Sequence, residues 1–269
     1  MRIRFGIALA LAAAGLCLPA QADEVKLGDA VPGHPGLTYE ALVRQAMPAL
    51  EVSEGAGRAG AEVKLRTLGG EESSLEADFA FETIATQNVA SDGKPVLLLL
   101  IPGEEDGFSA LLAAYDMAGA PRLLDAVDGG MDRMLSFGDS VDLGAATGFT
   151  LTGSHFNAGE SYVSTDIGFV HDGRLTPIAS QLAYGVQVCS FAMAQTLAVT
   201  AQDDPPARYR AVSVAVTQTV TPSGEDCGES EPAPPPAGSA TYADVYHWDG
   251  AAGAYAAATN ERAKLMGPE

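Results

Sequence analysis

Apolar residues along this chain recur at the two-residue period of strands more often than at the 3.6-residue period of helices. Residues 212–220, Val-Ser-Val-Ala-Val-Thr-Gln-Thr-Val, alternate apolar and polar positions and predict a half-buried strand. Val186-Gln187-Val188-Cys189-Ser190-Phe191 alternates in the same way and predicts another strand just before it. Pro95 to Ile101 is different, a continuous apolar run stopped by Pro102-Gly103. It is far shorter than the about 20 residues a membrane helix needs, and it reads as a central strand buried on both faces.

Three segments share a strand, turn, strand layout. Leu112 to Asp116 turns through Gly119 into Leu123-Leu124, and Ile167 to Val170 turns at Asp172-Gly173 into Leu175. Val245 to Asp249 turns through Gly250 to Gly253 into Tyr255. Asp-Gly suits the type I′ hairpin, where both central residues take positive φ. One helix is expected, capped by Thr38, with Glu40 in its first turn, Leu42, Val43, Ala46 and Met47 on one face, and Pro48 limiting its length. The fold class is therefore mainly β, with antiparallel strands in a sandwich or propeller-like meander after a short helix.

The ends and loops divide the chain. Arg2 and Arg4, the apolar stretch Ile7 to Leu18 and the small residues of Ala20-Gln21-Ala22 form a signal-peptide pattern over 1–22, cleaved after Ala22. Cys17 is not read as a lipid anchor, because Leu16 occupies the place where such signals carry a small residue. Residues 23–60 form an extended lead-in and the helix, and 61–269 the β-rich domain. Within it, 222–239 collects prolines, glycines and acids into an exposed loop.

Export changes the charge and cysteine arithmetic. Loss of Arg2 and Arg4 leaves 13 Lys+Arg against 35 Asp+Glu, a formal charge of −22. Nucleic acid and anionic membrane surfaces are poor partners for this charge, which either suits a basic protein or a cell-envelope component or simply keeps an exported protein soluble. Loss of Cys17 leaves Cys189 and Cys227, which are expected to form a disulfide in the periplasm or outside the cell. Closing that loop adds roughly 4 kcal/mol in the chain-entropy model.

Candidate chemistry is sparse. Asp125, Asp128 and Asp132 surround Gly129-Gly130, with Asp139 and Asp142 following, an oxygen-rich set of the type calcium takes, although the spacing matches no calcium loop. The four histidines, His34, His155, His171 and His247, show no paired zinc spacing, and no phosphate-cradling glycine motif occurs. No cofactor is therefore expected. Tyr246, Trp248 and Tyr255 either line a carbohydrate or peptide groove or close a core.

Ser136-Phe137-Gly138-Asp139-Ser140-Val141-Asp142-Leu143-Gly144 resembles the nucleophile block of the GDSL (SGNH) hydrolases, and Asp244-Val245-Tyr246-His247 resembles their closing Asp-x-x-His block. The resemblance implies Ser140 as nucleophile, His247 as its base, Asp244 as the orienting carboxylate and Asn157 as an oxyanion donor. That family needs a parallel sheet flanked by helices, whereas 148–220 reads as strands and turns. The sequence therefore favours a non-enzymatic binding or interaction module, with a GDSL-like esterase and a ligand-free structural envelope protein as the alternatives. Cys189→Ser is expected to lower the melting temperature by several degrees under oxidising conditions. Identical melting of the wild type with and without reductant would contradict the bridge.

Overall fold

The apolar run around Leu98 occupies the middle of the structure, a computed structural model that describes residues 23–104, 109–130, 135–223 and 235–267. In chain order the first elements are β1 (Asp23–Val25), α1 (Tyr39–Ala46), β2 (Glu51–Ser53), β3 (Ala56–Arg58), β4 (Val63–Arg66), β5 (Glu72–Leu75) and β6 (Ala80–Phe81). There follow β7 (Ile84–Ser91), β8 (Lys94–Pro102), β9 (Ala110–Asp116), β10 (Arg122–Asp128), β11 (Ser136–Phe137) and β12 (Val141–Asp142). The last third holds β13 (Thr147–Asn157), β14 (Glu160–His171), β15 (Arg174–Gln187), β16 (Phe191–Gln202), β17 (Ala211–Pro222), β18 (Gly238–Asp249), β19 (Ala254–Ala257) and a 3-10 turn, Glu261–Lys264.

Strand β8 lies between β7 and β9 in a five-stranded antiparallel sheet of order β1-β7-β8-β9-β10. Its side chains alternate between two cores, as the pleat requires. Leu97, Leu99 and Ile101, with Leu111 and Tyr115 of β9, pack against Leu42, Val43 and Met47 of the helical layer. Leu98 and Leu100, with Leu112 and Ala114, pack against Phe149, Leu151, Val170 and Leu175 of the next sheet. Tyr115 has its hydroxyl inside the first core, where it donates to the Leu42 carbonyl at 2.9 Å.

The second large sheet is antiparallel, with order β11-β13-β14-β15-β16-β17-β18-β19 and β12 also paired to β13. Strands β15 and β16 share only the pairs Val186↔Met193 and Gln187↔Ala192 before they part. The two halves then enclose a third core, in which Ile167, Phe169 and Ile178 meet Val212 and Val214, with Leu197, Val199, Trp248 and Tyr255 around them. The result is sandwich-like, not propeller-like.

Several links lock this sheet to the first. Ser91 Oγ donates to the Val170 carbonyl at 2.8 Å, and Gln87 Nε2 to the Gly138 carbonyl at 3.2 Å. Arg66 binds both Asp125, at 2.5 Å, and the Leu175 carbonyl, at 2.9 Å.

The three strand, turn, strand segments form the hairpins β9–β10, β14–β15 and β18–β19. Asp172 and Gly173 have φ of 48° and 74°, as a type I′ turn needs. Residues 186–191 are not one strand. Val188 donates to the Phe191 carbonyl across Cys189-Ser190, so the alternating run is the corner between β15 and β16. Thr38 stands at the helix N-cap with extended backbone, but its side chain makes no capping bond. Cys227 and Asp132 lie outside the described residues, as do 224–234 of the acidic loop.

Burial of β8 on two faces makes a paired prediction. Leu98→Ala and Leu99→Ala, each at a residue fully buried in a different core, are both expected to cost roughly 2–5 kcal/mol in urea denaturation. Leu182→Ala, at a site 41% exposed, is expected to cost far less. A near-neutral result at either buried site would contradict the layered arrangement.

Candidate functional site

A groove of about 610 Å³ opens along one margin of the sandwich. Thr150 and Thr152 of β13 and Val163 and Thr165 of β14 form its floor, and Gly138 to Val141 close one side. These floor residues alternate along their strands, so the groove looks onto the face of the β13–β14 hairpin. From β16 it is lined by four consecutive residues, Thr196, Leu197, Ala198 and Val199. Consecutive residues of a strand line one wall only when the wall is the strand's edge.

From Ala194 to Gln202, β16 pairs with β17 on one side, and among the described residues no strand pairs with its other side. A bare edge presents a row of backbone donors and acceptors, and natural proteins blunt such edges with charge, proline or bulges. Strand β16, Phe-Ala-Met-Ala-Gln-Thr-Leu-Ala-Val-Thr-Ala-Gln, carries no charged residue and no proline. Its partner at the corner, β15, has Arg174 and Pro177.

The floor is polar despite its depth. Thr150 and Thr165 are buried; the Thr150 hydroxyl donates to the Asp139 carbonyl at 2.9 Å, and the Thr152 and Thr165 hydroxyls lie 3.4 Å apart. Gly138 is required here, because a Cβ would lie 2.5 Å from Thr150 Oγ1. The Phe-Gly-Asp-Ser stretch is thus a tight connection between β11 and β12 that shapes the groove wall.

The residues implied by the hydrolase resemblance are dispersed to other partners. Ser140 lines the groove. Asp244 and His247 are three residues apart on β18 and point to opposite faces. His247 Nδ1 pairs with Asp204 at 2.7 Å. Asp244 is 3% exposed and accepts from Thr259 Oγ1, the Glu261 amide and Arg262 Nε. Asn157 sits at the tip of the β13–β14 hairpin, seven residues beyond Thr150 and so about 20 Å farther along the strand.

No family model, no curated protein and no solved structure matches the chain. The site therefore rests on its own geometry.

The acidic set near Gly129 is likewise taken up internally. Asp125 binds Arg66 and the Leu175 amide, while Asp128 accepts from Ser73 and the Gly130 amide. Asp142 pairs with Arg210 at 2.6 Å. Trp248 and Tyr255 close the third core edge-on to Phe169, and Tyr246 lies under Arg262, so these aromatics are structural parts of the sandwich. Sequence pattern does not single out the β16 edge; the signal it carries is an uncharged, proline-free stretch over 191–202.

Asp244 provides a pH test. Burial pushes its carboxyl up, but the bonds from Thr259, Arg262 and the Glu261 amide outweigh burial and hold it below its ordinary 3.8. Its ionised form therefore stabilises the fold above about 3.8, and that contribution is lost as pH falls through the lower folded value. The stability gap between wild type and Asp244→Asn is expected to be full at pH 7 and to shrink below pH 3.8. A gap that stays constant down to pH 2.5 would contradict the assignment.

Proposed function

We propose that this chain is an exported binding module that takes up an extended, positively charged polypeptide segment alongside β16. The observation that carries the reading is the β16 edge bordering the groove, which no strand pairs among the described residues. A segment laid there pairs its backbone with β16 and directs alternate side chains onto the Thr and Val floor, the mode by which sheets add a strand. Backbone pairing supplies affinity, and the small polar floor selects side chains.

Charge sets the sign of the partner. The chain carries −20 formally, and Asp139 stands in the groove wall, so a cationic segment is steered in and an acidic one repelled. In this reading residues 1–22 are removed on export, the protein works in the periplasm or outside the cell, and Cys189 and Cys227 close the acidic loop by a disulfide. The dispersal of Ser140, Asp244 and His247 favours binding over esterase chemistry.

The test is fluorescence anisotropy with a labelled ten-residue peptide alternating Val or Thr with Lys. Saturable binding that weakens as salt rises is expected. Methylating every second backbone nitrogen of the peptide should abolish it without changing its charge, and replacing Lys by Glu should do the same. Equal binding of the methylated peptide, or none at low salt, would overturn the proposal.

A further inference from the structure

Two Asp-Gly turns from different sheets meet at the end of β14 opposite its loop with β13. Asp92, with φ 50°, lies in the β7–β8 turn, and His171 and Asp172 lie in the β14–β15 turn. Ligand atoms of Asp92, His171 and Asp172 all fall within 4.8 Å of one another. We propose that these three residues bind a divalent transition-metal ion of the zinc type. This site is independent of the β16 groove.

Hydrogen bonding by Tyr209 orients the His171 ring toward Asp172. Tyr209 is buried, and its hydroxyl lies 3.0 Å from both Asp92 Oδ1 and His171 Nδ1. A carboxylate only accepts, so the single phenol proton goes to Asp92 and Tyr209 meets the imidazole as acceptor. Nδ1 therefore holds a ring hydrogen, which leaves Nε2 as the nitrogen that can offer a lone pair to a metal. That nitrogen stands 3.4 Å from Asp172 Oδ2. Either a proton on Nε2 or a metal ion satisfies this pair, and the titration below tells the two apart.

The spacing suits a metal. Ligands about 2.1 Å from a tetrahedral zinc ion stand about 3.4 Å from each other. One imidazole nitrogen with two carboxylates is borderline chemistry that favours zinc-type ions over calcium or magnesium. Tyr209 holds the ring in the binding tautomer, as a hydrogen-bonded neighbour of a metal-ligating histidine commonly does. Phe169 and Trp248 pack around the same ring, with the Trp248 centroid 4.8 Å away.

Two carboxylates neutralise a divalent ion, and Arg208 Nη2, 2.6 Å from Asp92 Oδ1, engages that oxygen of Asp92. Asp172 is largely exposed, and a cleft of about 380 Å³ begins beside it, lined also by Lys94, Asp116 and Arg122. Water completes the coordination from that side.

The test is Zn²⁺ titration of the full mature chain, followed by imidazole ¹⁵N NMR and by the fluorescence of Trp248, the only tryptophan. The proposal predicts that the His171 Nε2 resonance moves while Nδ1 stays protonated, with Trp248 fluorescence changing at the same Zn²⁺ concentration. His171→Gln and Asp172→Asn should each weaken binding at least tenfold, and Asn keeps the positive-φ turn. Tyr209→Phe should weaken it about 10- to 100-fold and release the Nδ1 tautomer. No resonance change at millimolar Zn²⁺ would overturn the assignment. So would a ring doubly protonated at pH 7.5 and indifferent to Zn²⁺, or an affinity that survives both His171→Gln and Asp172→Asn.

Discussion

The pleat of β8 is the constraint from which the rest of the architecture follows. A strand whose six central side chains, Val96 to Ile101, are all buried must have a covering layer on each face. The helix and lead-in supply one cover, because α1 buries Tyr39, Leu42 and Val43 together. The β13–β15 hairpins supply the other through Phe149, Leu151, Val170 and Leu175. Apolar burial at this density amounts to roughly 1.5–3 kcal/mol for each large side chain, so both layers are held by the same strand.

That demand shapes the second sheet. With one face of β13–β15 committed to the first sheet, the other face needs its own cover, and the chain provides it by turning at Cys189-Ser190 and sending β16–β19 across. The apolar end of this space is filled by interlocked rings, with Tyr209, Trp248 and Phe169 centroids 4.9–5.7 Å apart and nearly perpendicular. The other end is lined by threonines and stays open. The separation of β15 from β16 closes the core and, by the same step, leaves the β16 edge beyond Met193 without a paired strand among the described residues.

Much of this fold is legible in local pattern. The uniform run at Leu97 to Ile101, the alternation at Val212 to Val220 and the Asp172-Gly173 turn each signal their element, because burial and turn chemistry are written residue by residue. The 186–191 stretch misleads because alternation persists through a corner, where the pattern of burial continues although the strand does not. The site was hardly legible. Pairing of β16 on one side only is a property of sheet order, and the meeting of Asp92 with His171 depends on two turns about 80 residues apart docking tip to tip. Motif reading fails at Ser140, Asp244 and His247 for the same reason: spacing along β18 puts Asp244 and His247 on opposite faces, a fact of strand geometry that a matched pattern does not contain.

Hydrogen exchange along β16 tests the central claim most directly. In the free protein every second amide from Ala194 to Gln202 is expected to exchange quickly, because it faces the groove, while the intervening amides are protected by β17. Adding the cationic extended peptide should protect the fast set and leave the slow set unchanged. Uniform protection of β16 in the free protein, or a fast set that the peptide leaves untouched, would contradict the account.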